Sequence, residues 1–124
     1  MSTVGADGSS QKIFATVMLA DISGFTALSE KLDPEEVTRV MNGCFAKLET
    51  IVFAHGGIIE EFLGDCVKAI FGVTPSSNPT RLAVRAALEI REAIADYNRE
   101  AELPSPLGIH IGVNSGAVVT IPSG

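Results

Sequence analysis

Two short apolar-rich runs, Ile58 to Leu63 and Cys66 to Phe71, are separated only by Gly64-Asp65, and this stretch constrains the fold more than any other. A Gly-Asp pair between such runs predicts a tight β-hairpin. The rest of the chain must build around that hairpin. Lys12 to Ala20 is a β-branched and aliphatic run that reads as a buried central strand, with Asp21 at its end and a turn-like Ile22-Ser23-Gly24 after it. A short helix is expected over Phe25 to Lys31. Asp33-Pro34-Glu35-Glu36 then starts a long helix, with Asp33 as N-cap, Pro34 at the first position and Glu36 closing a capping box.

Apolar residues follow at helical spacing: Val37, Val40, Met41, Cys44, Phe45, Leu48, Ile51 and Val52, until His55-Gly56-Gly57 stops the helix. Thr74 to Pro79 is a loop with two prolines. A second long helix over Thr80 to Glu100 carries Leu82, Ala86, Ile90, Ala93, Ile94 and Tyr97 on one face. Leu103 to Pro106 is a linker, Leu107 to Val113 another strand, and Ala117 the start of a last one. The order β-α-α-β-β-α-β predicts an α+β, ferredoxin-like fold, an antiparallel-rich sheet with helices on one face.

At 124 residues, 46% hydrophobic and 19% charged, the chain fits one folded domain. A net charge of −6 argues against a nucleic-acid partner, which selects a basic face. No apolar run approaches the roughly 20 residues that cross a bilayer. Residues 1–11 are Gly/Ser-rich and read as a flexible tail without the basic and apolar parts of a signal peptide. Cys44 and Cys66 sit in apolar segments without metal-ligand spacing, as reduced thiols would in a cytoplasmic protein.

Two aspartates carry the chemistry. Asp21 ends a strand beside a glycine turn, and Asp65 sits at the hairpin tip. If their strands are neighbours, both carboxylates converge, and paired carboxylates holding Mg²⁺ or Mn²⁺ are a common phosphoryl-transfer device. The amides of Ser23-Gly24-Phe25-Thr26, leading into a helix, could receive phosphate oxygens. Residue types alone favour the plainer reading, in which Asp21 is a cap and Asp65 a turn residue.

The run Leu19-Ala20-Asp21-Ile22-Ser23-Gly24-Phe25-Thr26-Ala27-Leu28-Ser29-Glu30 closely resembles the signature of class III adenylyl and guanylyl cyclases. Gly56 to Asp65, continuing through Ala69 and Phe71-Gly72, matches the family's second signature, and Ile111 to Gly116 gives a softer third. The matches fall in family order from about residue 12 onward. The resemblance implies that residues 12–124 are a nucleotide cyclase catalytic domain. It makes Asp21, Asp65 and the Ile22 carbonyl ligands of two Mg²⁺ or Mn²⁺ ions, with Ser23, Gly24, Phe25 and Thr26 along the phosphates. The substrate would be ATP or GTP, cyclised with release of pyrophosphate in cyclic-nucleotide signalling. The site would be shared across a homodimer or a heterodimer of cyclase domains.

Glu61 stands where the family often carries a base-reading Lys. Glu accepts from guanine N–H groups, whereas Lys donates to adenine, so Glu61 leans toward GTP. The family's transition-state Asn and Arg fall after the last strand seen here, so the resemblance implies a domain truncated on its C-terminal side. Each such missing stabiliser costs a factor of about 100 or more, and the chain alone is expected to be nearly inactive. The alternative is a catalytically silent cyclase-like module that binds nucleotide or a partner domain. A diguanylate-cyclase reading is disfavoured, because Glu60-Glu61-Phe62 lies before the hairpin and not at its tip. Asn114 reads as a turn residue, His55 and His110 as structural, and Arg81, Arg85 and Arg91 as a solvated helix face.

Overall fold

The computed structural model describes residues 11–73 and 78–120. The Gly/Ser-rich start and most of the proline-containing loop expected at Thr74 to Pro79 lie outside the described residues. Among the described residues the elements run β1 (Gln11–Ser23), α1 (Phe25–Ser29), α2 (Pro34–Ala54), β2 (Gly57–Leu63), β3 (Cys66–Phe71), α3 (Pro79–Glu100) and β4 (Gly108–Thr120). Their strands form one four-stranded sheet in the order β2-β3-β1-β4. Every pairing is antiparallel.

Local chemistry sets the element ends. Asp33 caps α2, Pro34 opens it, and the Glu36 carboxylate accepts from the Asp33 amide at 3.4 Å. The helix stops at His55, with Gly56 in the left-handed region at φ +81°. The His55 Nδ1 bonds the Ile51 carbonyl at 2.8 Å, and its Nε2 lies 3.3 Å from Glu89 of α3. His55 is therefore a fastener between helices, as expected. At the β2–β3 turn Gly64 has φ +65° while Asp65 does not, the sign pattern of a II′ hairpin.

One face of the sheet carries the core. Met18, Ala20 and Ile22 of β1 and Val67, Ala69 and Phe71 of β3 pack against Val40, Cys44, Leu48, Ile51 and Val52 of α2. Ala83, Ala86, Ile90 and Ile94 of α3 complete that layer. Burial pushes the Cys44 thiol up to about 11, with Lys47 pulling slightly the other way, so it behaves as a small hydrophobe. A register shift between Ile59 and Glu61 re-aims the end of β2. Phe62 thereby opposes buried Val67 and reaches α2, where its ring meets Phe45 edge-on at 5.4 Å.

Three expectations are corrected. Leu107–Val113 and the strand begun at Ala117 are one continuous β4, and Asn114 is no turn residue but pairs with Val17 inside it. Turn-prone Asn-Ser-Gly composition gives way here to an unbroken antiparallel register with β1, from Gly108 opposite Ser23 to Thr120 opposite Gln11. For the same reason β1 does not end at Asp21 but runs to Ser23. Ser115 also joins Thr16 and Thr80 in a closed ring of hydroxyls, at 2.8, 3.0 and 2.7 Å, which ties β1, β4 and the first turn of α3 together. Thr16 is fully buried, so this ring satisfies a hydroxyl that would otherwise be costly.

Candidate active site at the β1 and β2–β3 junction

The face of the sheet opposite the helices is open, and β-strand alternation decides what it displays. Asp21 pairs with Cys66 on β3 and with His110 on β4. Leu63 pairs with Cys66 on the other side. Just past that row the Ile22 amide donates to the Asp65 carbonyl at 3.0 Å. This bond fastens the hairpin tip to the end of β1. The two aspartates that are 44 positions apart in sequence thus stand at one corner of the sheet, both exposed.

Their charges converge on Cys66. Burial, then the negative charge of Asp21, then that of Asp65 all push the Cys66 thiol above its ordinary pKa. Among the described residues no group of three or more His, Cys, Asp or Glu side chains gathers to enclose a metal. Two exposed carboxylates beside the buried Ile22 form an open, oxygen-rich donor pair, which suits a hard divalent cation that takes its remaining ligands from a bound phosphate or water.

The turn after β1 is shaped by close approach. Gly24 has φ +103°, and a Cβ there would stand 2.8 Å from the Pro106 carbonyl oxygen. Any side chain is barred on both counts. Gly108 lies equally tight under Ser23, whose Oγ would be 2.6 Å from an added Cβ. The turn leads directly into α1, where Phe25 and Leu28 are buried and Thr26 is exposed.

One register step along the open face, Glu61 opposes Lys68, Lys68 opposes Leu19, and Leu19 opposes Gly112. The Lys68 ammonium pairs with Glu60 at 3.5 Å, leaving the exposed Glu61 carboxylate on the same face as Asp21. A shallow trough lined by Val17, Leu19, Lys68, Gly112 and Asn114 runs beside it.

The catalytic domain of adenylate and guanylate cyclases matches residues 9–123. The chain belongs to this family. An adenylate cyclase of Anabaena cylindrica is 28% identical over 84% of this chain, and the receptor-type guanylate cyclase gcy-23 of Caenorhabditis elegans is 32% identical over 85%. The adenylyl cyclase CyaB of P. aeruginosa superposes with a TM-score of 0.82 at 31% identity over 90% of this chain. The chain spans 21% and 10% of the lengths of those two relatives and 60% of the CyaB chain.

In this cyclase domain the structure brings Asp21, Ile22 and Asp65 together, sets Ser23 to Thr26 directly beyond them, and puts Glu61 on the same open face. Two neighbours escaped the reading of the sequence. His110 of β4 lies opposite Asp21 on one side and Cys66 of β3 opposite it on the other, because only the strand register creates those pairings. Arg81, Arg85 and Arg91 are exposed on α3, as expected.

Cys66 offers a direct check of the convergence. Asp21→Asn removes a charge that disfavours the thiolate, so the Cys66 pKa falls. Its iodoacetamide reaction at pH 8 should then speed up by about twofold or more. Buried Cys44 does not compete. An unchanged rate would mean that the Asp21 carboxylate does not reach Cys66.

Proposed function

We propose that this chain supplies the metal-binding half of a nucleotide cyclase site, converting a nucleoside triphosphate to its 3′,5′-cyclic nucleotide and pyrophosphate. The observation that carries the reading is the Ile22–Asp65 backbone bond at 3.0 Å, which sets two exposed aspartates side by side at a strand end. Asp21, Asp65 and the Ile22 carbonyl would hold two Mg²⁺ or Mn²⁺ ions. Such cations, when bound, supply the positive charge that acidifies the ribose 3′-hydroxyl and offsets the triphosphate.

The chain's own groups do the placing. The amides of Ser23, Gly24, Phe25 and Thr26 would donate to phosphate oxygens, and the bare Gly24 lets a phosphate approach the backbone. α1 has five residues, so the individual amides matter more than a helix dipole. The substrate's 3′-oxygen would form its bond to the α-phosphorus as the bond from that phosphorus to the in-line pyrophosphate breaks, with the hydroxyl proton passing to water.

Asp21 and Glu61 share one open sheet face, which suits a site completed by a second cyclase domain laid against that face, in a homodimer or a heterodimer. Glu61 would accept from the N–H groups of guanine, which favours GTP. Among the described residues no helix is long and apolar enough to cross a membrane. Both cysteines are free, in keeping with a reducing, cytoplasmic setting.

The test is cyclic-nucleotide production by the full-length protein with Mn²⁺ and either GTP or ATP. GTP should give the higher kcat/KM, and Glu61→Lys should lower the GTP-to-ATP ratio by about tenfold or more. Wild-type preference for ATP would remove Glu61 from base recognition. Absence of either cyclic nucleotide would remove the enzyme reading altogether.

A further inference from the structure

β1 loses its β3 partner at Asp21, whose pair is Cys66. Beyond it, Ile22 and Ser23 have only β4 as a strand partner among the described residues, through Ile109 and Gly108. Apart from the Ile22–Asp65 bond at the hairpin tip, the position of the metal-binding end of β1 therefore depends on where β4 begins. One side chain grips that start through both its donor and its acceptor. Asn98, near the end of α3, accepts from the Leu107 amide through Oδ1 at 2.9 Å and donates to the Leu107 carbonyl through Nδ2 at 2.8 Å.

A carboxamide carries a donor and an acceptor spaced like those of a peptide group, so Asn98 serves Leu107 as a strand partner would. The pairing also fixes the amide's orientation, since a flip would set donor against donor. Leu107 is buried, and the backbone around it presses on the turn beyond β1: the Pro106 oxygen and the Leu107 Cα would lie 2.8 and 3.4 Å from a Cβ at Gly24. The Lys31 ammonium donates to the Pro104 carbonyl at 3.1 Å, fastening the same connection to the segment after α1. A path of neighbouring groups thus runs from Asn98 through Leu107 and Gly108 to Ser23 and Gly24.

We propose that Asn98 is a positioning residue for the cyclase reaction: by clamping Leu107 it holds the Asp21–Gly24 end of β1 in the geometry that binds cations. The proposal rests on the reading of Asp21 as a metal ligand. Groups that only orient a ligand from behind typically change metal affinity by about 10–100-fold when removed.

The test compares Asn98→Ala with Thr16→Val in the full-length protein. Thr16→Val disrupts the hydroxyl ring away from the site, and so controls for loss of stability. Asn98→Ala should raise the Mn²⁺ concentration for half-maximal activity by about tenfold and shift the Ser23 and Gly24 amide resonances. Thr16→Val should lower Tm without either change. Equal Mn²⁺ requirements for Asn98→Ala and wild type, or a matching rise in Thr16→Val, would overturn the proposal. Unmoved Ser23 and Gly24 resonances would overturn it whatever the metal does. If they move while Asp21→Ala keeps wild-type Mn²⁺ affinity, the positioning stands and the metal reading falls.

Discussion

Asp21→Ala in the full-length protein is expected to lower cyclase turnover by more than about 100-fold, since removing even an indirect support of a metal ligand costs about 10–100-fold. Its Tm should change by little. Asp21 is exposed and makes no core contact, and exposed substitutions of that kind fall within about 0.5 kcal/mol. The variant also relieves a like-charge neighbour, Asp65, so any change in stability should be toward a higher Tm. Asp65→Ala should behave in the same way. Activity retained within about tenfold of wild type by either variant would contradict the metal assignment. Measuring cyclic-nucleotide formation beside a thermal melt separates the two effects, because a folding defect lowers both and a site defect lowers only one.

Phe71→Ala makes the opposite prediction. The ring is fully buried and lies so close over β2 that a Cβ at Gly57 would stand 2.6 Å from it. It faces α2 and α3 from the end of β3, where β3 pairs with both Thr16 and Gly57. Truncating it leaves a cavity that the paired strands on either side cannot close. The expected cost is about 3–5 kcal/mol, a large part of the roughly 5–15 kcal/mol total of a small domain. That corresponds to a Tm lower by about 10–20 °C. Denaturant unfolding gives the value directly, and Phe71→Leu should recover most of it. A loss below about 1 kcal/mol would mean that the ring is not the packed centre described.

Much of the architecture was legible because its signals are local. The Asp33-Pro34-Glu36 start, the glycine stop at Gly56 and the Gly64-Asp65 hairpin each encode their own geometry. α3 followed from apolar spacing, although Ala83 was overlooked, being small enough to read as neutral on a helix face. β4 was misread where Asn114-Ser115-Gly116 looks like a turn, since its extended form comes from pairing with a strand some 100 positions away. Asp21 and Asp65 were singled out by motif and Glu61 by position. What no spacing could supply was the register. Cys66 opposite Asp21, His110 on the other side of Asp21 and the Asn98 clamp on Leu107 all arise only once the chain is folded and β1, β3 and β4 lie side by side.

In the proposed site Asp21 and Asp65 act jointly in holding the two cations. Mn²⁺ bound to the protein can be counted by electron paramagnetic resonance in the presence of 3′-deoxy-GTP, which cannot cyclise. Wild type should hold Mn²⁺, and Asp21→Asn and Asp65→Asn should each weaken it by at least about tenfold, with the double variant little worse than either single one. Wild-type Mn²⁺ binding in either single variant, or losses that simply multiply in the double, would contradict the account.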